Sequence, residues 1–283
     1  MCQFSLLTVC LNPGEKLRGT LESALIQTFQ DFELIIKDGG STDGSLESVS
    51  DLLQDPRIRV VQKKDTGIYD AMNQAVQEAK GRYVYFLNCG DKLYDETVLS
   101  KVAKEAGEAS SETGKEAPSE TGETTHGERF IIYGNVVWKE KQALITPPSK
   151  ITGFTCYRNI PCHQACFYDA GLCKEKAFET QYKIRGDYEH FLWCHYRGKA
   201  VERYLSETVA EYEGGGYSES KKNQERSKQE HREITRKYMS KGELLKYRLI
   251  MAITLAPLRT KIAENPKLSG AYHKVLGFLY QRK

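Results

Sequence analysis

Three acidic turns stand out in this 283-residue chain: Asp38-Gly39-Gly40, Asp65-Thr66-Gly67 and Asn88-Cys89-Gly90-Asp91, each following a short apolar run. A fourth polar end, around Thr8 and Asn12, carries no charge. Carboxylates gathered in this way suit two tasks. One is to hold a hard divalent cation such as Mg2+ or Mn2+, which takes one or two protein carboxylates and completes its shell with phosphate oxygens. The other is to accept hydrogen bonds from a base or ribose, and Asp38 and Asp65 lie on adjacent loops suited to it. Asp91 suits the cation, because Gly90 beside it lets the backbone come close to a ligand. A single Asp is enough where the substrate brings its own diphosphate. Asp187, in Gly186-Asp187-Tyr188-Glu189, opens a helical pattern, where the helix dipole and free N–H groups favour the anion. Each residue also has a plainer reading as a turn former or helix cap. For Asp43 that reading is preferred, and for Asp187 the residues alone favour a simple N-cap.

The elements that must carry these residues alternate in period over the first hundred positions. Short apolar runs at 4–9, 32–38, 58–62 and 82–88 read as strands. Helical spacing follows at 15–27 (Leu17, Leu21, Ala24, Leu25), at 41–53 behind a capping Ser, and at 67–81 with Gly81 as its C-cap. Alternation of this kind predicts an α/β fold, with a mostly parallel sheet covered by helices on both faces. In such sheets ligands bind beyond the carboxyl ends of the strands, and the polar turns fall there. Further strands are expected at 129–138, in pieces up to 172, and as two segments over 199–218; a helix is expected over 186–198. Lys104 to Glu128 nearly repeats a Ser-Glu-Thr-Gly unit with no large apolar residue, and reads as a disordered acidic insertion.

Charge divides the chain. Residues 219–283 hold 16 Lys+Arg against 6 Asp+Glu, a surplus of +10, while residues 1–218 carry −7. A basic helical extension of this sort suits an anionic surface such as membrane lipid; an ordinary solvated helical cap is an equally good reading. The run 243–258 is apolar and charge-flanked, too short to span a bilayer but suited to lie in its interface. No nucleic-acid-binding motif is present. Eight cysteines without a Cys-x-x-Cys pair, and an N-terminus that starts on a strand without a signal-peptide pattern, predict a cytoplasmic protein with reduced thiols. Cys156, Cys162, His163, Cys166 and Cys173 crowd together, but their irregular gaps fit a zinc site poorly.

The segments 8–12 (TVCLN), 38–45 (DGGSTDGS), 64–91 (KDTGIYDAMNQAVQEAKGRYVYFLNCGD), 161–168 (PCHQACFY) and 186–189 (GDYE) together resemble the family 2 inverting glycosyltransferases, which have the GT-A fold, and in particular those of bacterial surface-polysaccharide assembly. The resemblance covers residues 4 to about 218, apart from the insertion, and implies a GT-A domain over 1–218 followed by the extension at 219–283. It implies a nucleotide-diphospho-sugar donor (a UDP- or GDP-sugar), a glycan or lipid-linked acceptor, Mg2+ or Mn2+, and work at the inner face of the plasma membrane. By position it gives Thr8, Asn12, Asp38, Asp65 and Asp70 to the nucleotide, Asp91 to the metal, Asp187 to the catalytic base, His163 and Gln164 to the acceptor side, and Gly215 and Gly216 to a loop over the diphosphate. The chain departs from the commoner metal motif in having Asn88 and Cys89 where carboxylates occur. Two rival readings are a sugar nucleotidyltransferase, whose Arg/Lys-bearing glycine loop residues 8–19 match poorly, and a non-catalytic nucleotide-sugar-binding protein.

Overall fold

The computed structural model describes residues 2–112, 128–214 and 221–253. The chain divides into two compact units, Met1–Arg232 and Glu233–Lys283. The first unit begins with the four expected strands and two of the three expected helices: β1 (Phe4–Cys10), α1 (Lys16–Leu25), β2 (Phe32–Asp38), β3 (Ile58–Gln62), α2 (Ile68–Glu78) and β4 (Tyr83–Phe86). It continues with β5 (Lys92–Leu93), α3 (Val98–Glu112), β6 (Phe130–Trp138), β7 (Ala143–Ile145), α4 (Gly153–Arg158), β8 (Cys166–Asp169), α5 (Ala170–Glu175), α6 (Gly186–Tyr196) and β9 (Val201–Tyr212). Two helices follow, α7 (Lys221–Tyr238) and α8 (Lys241–Ile253). The boundary between the units falls inside α7.

Among the described residues nine strands form one sheet, in the order β3-β2-β1-β4-β8-β6-β9-β5, with β7 added on β6. β3, β2, β1 and β4 run parallel, in a register that sets Leu7 against Phe86 and Cys10 against Asp38. β8 then pairs antiparallel with both β4 and β6, so the sheet is mixed beyond its parallel N-terminal half. β1 and β4 are buried along their full length, as unbroken apolar runs in a covered sheet must be. Phe4, Tyr83, Tyr85 and Phe167 form its aromatic centre, with Tyr85 and Phe167 stacked 4.3 Å apart.

Four sequence expectations need correction. Residues 41–53 do not form a helix but two short 3-10 turns, Glu47–Val49 and Leu52–Gln54. The Asp43 carboxylate there takes the N–H groups of Gly14 and Ser45 and the Ser45 hydroxyl, and such local side-chain bonds compete with helix formation. α2 stops at Glu78, so Gly81 is not its cap; a Cβ at 81 would overlap the backbone of Phe4 and Ser5, so Gly81 is there to let β1 come close. Residues 104–112, placed in the acidic insertion, continue α3; Val98, Leu99, Val102 and Ala106 give this helix a buried stripe. The rest of that insertion to 127 lies outside the described residues. The two segments expected over 199–218 form one strand of 12 residues, β9, whose pairing with β6 shifts register beside Gly134. A Cβ at Gly134 would come within 2.7 Å of the Glu207 carbonyl oxygen.

Candidate active site

A cavity of about 510 Å³ opens where the ends of β1, β4 and β9 meet the start of α6. Its lining includes Asn12, Lys16, Tyr69, Asn88, Cys89, Asp91, His163, Gln164, Lys183, Asp187 and Glu213. Five of the residues singled out from sequence therefore line one cavity: Asn12, Asp91, His163, Gln164 and Asp187.

The turn after β4 delivers Asp91. Gly90 has φ +100°, in the left-handed region, and a Cβ there would overlap Glu213 Oε2. Thr20 Oγ1 accepts from the Gly90 N–H and lies 2.9 Å from the Asp91 carbonyl oxygen, so α1 pins the turn. Asp91 is 4% exposed. It accepts from the Glu213 N–H at 3.1 Å. Burial pushes its carboxyl up to about 7; the Glu213 N–H and the Gln164 side chain pull the other way, and the Glu213 charge pushes with burial. Lys16 pairs with Glu213 at 2.6 Å. The Asn88 Oδ1 is buried without a hydrogen-bond partner. Asp91, Asn88 and Glu213 thus offer hard oxygen donors at one spot, and an under-compensated carboxylate favours a cation. No group of three or more His, Cys, Asp or Glu with metal-holding geometry occurs among the described residues, so a cation here would draw its remaining ligands from a substrate. The donor set fits Mg2+ or Mn2+ on those terms.

Asp187 lies in the first turn of α6, behind Arg185 as the N-cap, and is partly exposed to the cavity. Tyr69, from α2, sets its hydroxyl 3.1 Å from Asp187 Oδ1 and 2.9 Å from the Ile184 carbonyl oxygen. Gly186 makes room for the Tyr69 ring, since a Cβ would stand 2.8 Å from it. The Tyr69 hydroxyl is pushed well up by burial and by the Asp187 charge, so it stays a donor. His163 stacks on Phe86 at 5.0 Å and lies 3.3 Å from the Tyr168 hydroxyl through Nδ1. Burial lowers its pKa against the opposing pull of Asp187, which keeps it neutral, and its Nε2 has no hydrogen-bond partner.

The residues expected on the nucleotide side are placed less uniformly. Asn12, at φ +50°, accepts from the Thr42 N–H and donates its own N–H to Ser41 Oγ, tying the β1 and β2 loops together. Asp38 is wholly buried, outside the cavity lining. Its carboxylate accepts from the Ser41 N–H and hydroxyl, the Gly40 N–H and the Gln62 side chain. Burial would raise its pKa, but these donors outweigh burial and lower it. Asp65 pairs at 2.8 Å with Lys37, which is itself fully buried and also donates to the Lys63 carbonyl oxygen at 2.6 Å. Asp70 accepts from the Thr66 N–H and hydroxyl in the first turn of α2. It lines a second cavity of about 360 Å³ that shares Ile68, Tyr69 and Lys183 with the first. Thr8 is fully buried in β1, away from the lining. Gly215 and Gly216 lie outside the described residues. Lys16, Tyr69, Lys183 and Glu213 were not foreseen. Only Tyr69 had a signal, its place inside the 64–91 segment.

Comparison with known proteins accords with this arrangement. Residues 5–159 match the model of the family described as "Glycosyl transferase family 2". A "PGL/p-HBAD biosynthesis glycosyltransferase" of Mycobacterium tuberculosis (strain ATCC 25177 / H37Ra) is 32% identical over 219 residues, 76% of this chain and 78% of that protein. Staphylococcus aureus TarS 1-349, solved with UDP-GlcNAc, superposes with a TM-score of 0.60 at 18% identity, over 83% of this chain and 67% of that one. The mannosyltransferase PcManGT from Pyrobaculum calidifontis, solved with GDP-Man and Mn2+, also gives 0.60, at 11% identity over 100% of this chain and 88% of that one. A sheet that brings the buried Asp91 to a cavity shared with Asp187, a family match over half the chain and a relative this similar lead to one conclusion: the chain belongs to glycosyltransferase family 2 and is a glycosyltransferase with a GT-A-like fold.

Proposed function

We propose that this enzyme transfers a sugar, with inversion, from a UDP- or GDP-sugar to a hydroxyl of a glycan or lipid-linked acceptor in polysaccharide or glycolipid synthesis. The observation that carries the reading is that two carboxylates with opposite environments face one cavity: Asp91, buried and under-compensated, and Asp187, partly exposed and hydrogen-bonded by Tyr69. Asp187 takes the proton of the acceptor hydroxyl as that oxygen bonds to the anomeric carbon. The bond from that carbon to the diphosphate oxygen breaks in the same step, and the nucleoside diphosphate leaves with the electron pair. Asp91, Asn88 Oδ1 and Glu213 would hold Mg2+ or Mn2+, which would supply positive charge to offset the negative charge growing on the leaving diphosphate. Lys16 exchanges its pairing with Glu213 for a phosphate when the donor binds. Asn12, Asp38, Asp65, Asp70 and the buried Thr8 shape the nucleotide side. His163 and Gln164, which line the cavity, serve the acceptor, and Gly215 and Gly216 serve the diphosphate. The UDP-GlcNAc and GDP-Man bound by the structural neighbours support this donor class.

The test is nucleoside diphosphate release from a panel of UDP- and GDP-sugars with Mn2+, followed by NMR of the product's anomeric centre. An α-linked donor gives a β-linked product; a retained configuration contradicts the reading.

The same reading extends to the second unit, proposed to act at the inner face of the plasma membrane. Supporting it, α8 exposes Leu245, Leu249 and Ile253, spaced one turn apart, among Lys241, Lys246 and Arg248. No helix among the described residues is long and apolar enough to cross a membrane. Salt-sensitive binding to anionic vesicles, weakened in Leu249→Asp, is expected; equal binding by that variant sinks the extension.

A further inference from the structure

Glu230, on the first-unit part of α7, is only 4% exposed. Its Oε1 accepts from the Lys183 N–H at 2.9 Å, and its Oε2 from the N–H groups of Ile184 and Arg185 at 3.0 and 2.9 Å. Arg226 Nε, one turn earlier on α7, donates to Oε1 at 2.9 Å. Arg185 Nε in turn reaches the Ser227 carbonyl oxygen at 3.1 Å and its hydroxyl at 2.8 Å. Three successive N–H groups aimed at one anion form a nest, and here the anion is the protein's own. Burial acts to neutralise it, but the Lys183 N–H, the Arg226 guanidinium and the other two N–H groups outweigh burial and hold the carboxyl below its usual range.

The chain from Lys183 to Arg185 leads directly into Gly186 and Asp187 and belongs to no helix or strand. Nothing periodic fixes it, so its conformation depends on what grips it. On one side Tyr69 reaches the Ile184 carbonyl oxygen and the Asp187 carboxylate, and Gly186 admits the Tyr69 ring. On the other side Glu230 takes the three N–H groups. Lys183, Ile184 and Asp187 all line the main cavity. A small error in the aim of a catalytic group costs far more rate than its hydrogen bonds are worth in stability.

We propose, resting on the reading of Asp187 as the base, that Glu230 is a positioning residue: by holding the 183–185 backbone from α7 it aims the Asp187 carboxylate at the acceptor hydroxyl. The first turns of α7 are then part of the catalytic body, not an appended tail, and a chain cut after Ser218 loses the clamp.

The test uses the full-length protein and the variants Glu230→Gln, Tyr69→Phe, their combination, and Asp187→Asn. Glu230→Gln keeps the side chain's shape but turns an oxygen that accepts two N–H bonds into a donor. The expected result is a kcat lowered about 10- to 100-fold, with the Kd of UDP or GDP in the presence of Mn2+, by calorimetry, within about twofold of wild type. Because Glu230 and Tyr69 act on the same segment, their combined loss should be smaller than the product of the single losses. A purely structural role would multiply the losses and weaken nucleotide binding as well. Unchanged kcat in folded Glu230→Gln, or losses that multiply, overturn the proposal while leaving Asp187 as the base. Full turnover in Asp187→Asn overturns the base reading and the proposal with it. Should Glu230→Gln fail to fold, Glu230→Asp, which keeps the charge but withdraws it by one methylene, is put to the same measurements with the same outcomes.

Discussion

Asp38 ends β2 and Asp91 lies in the turn after β4, two parallel strands of one sheet with β1 between them; both residues are almost wholly buried, and their carboxyls are shifted in opposite directions. Asp38 is surrounded by donors: two N–H groups, a hydroxyl and an amide converge on it. Asp91 has a backbone N–H, a glutamine side chain and a like-charged neighbour. Burial alone would raise both. The number of donors decides the sign. Asp38 builds the loop after β2, which on the proposed reading frames the nucleotide side, and Asp91 is left with few donors where, on that reading, a cation held with the diphosphate would supply positive charge. A site built in this way gives up stability in the free protein for binding.

The largest expected break in this comparison comes from Asp91→Asn. It should cut sugar transfer on the order of 10²- to 10³-fold, the usual cost of removing one group that stabilises transition-state charge. The same substitution should stabilise the ligand-free protein. In the unfolded chain Asp91 titrates near its ordinary value of about 4, in the folded chain at about 7. Between those values the folded state holds one more proton, so stability falls as pH rises from about 4 to about 7. Above pH 7 the ionised, buried Asp91 costs on the order of a few kcal/mol. Urea melts of the ligand-free wild type at pH 5 and pH 8 should show that decline, and Asp91→Asn should lack this component of it. A parallel decline in both proteins would remove Asp91 as its source.

Asp38→Asn sharpens the other half and should have the smaller effect on turnover. Its folded pKa is lowered, so its contribution is present above the ordinary carboxylate range and is lost as pH falls through the folded value. Replacing a carboxylate that accepts several bonds with an amide should destabilise by about 1–3 kcal/mol at neutral pH, seen as a lower urea midpoint. Retained stability with lost nucleotide affinity would instead make Asp38 a direct ligand of the base.

The contrast also shows how much the sequence carries. The strands β1 to β4 were legible because each is a short, mostly apolar run closed by a polar turn. Asp91 and Asp187 were legible as carboxylates placed at such ends, with the family resemblance supplying their roles. What the pattern missed depends on partners distant in sequence. Tyr69 meets Asp187 across 118 residues and Lys16 meets Glu213 across 197. Local patterning has no access to such pairs. The helix expected over 41–53 failed for the opposite reason: Asp43, Ser45 and Ser48 satisfy one another locally and leave no helical ladder. The charge surplus that marks off 219–283 does not reveal that Glu230, within that segment, reaches back to the backbone of residues 183–185.

The central claim is that Asp187 takes the acceptor proton while Asp91 serves the leaving diphosphate. Its most direct test is single-turnover sugar transfer by Asp187→Asn at saturating donor, alongside calorimetric binding of the nucleoside diphosphate with Mn2+. The account predicts transfer slower by about 10²- to 10⁴-fold, the range of a lost general base, with nucleotide binding unchanged. Transfer within a few-fold of wild type, or a loss traced wholly to nucleotide binding, would contradict it.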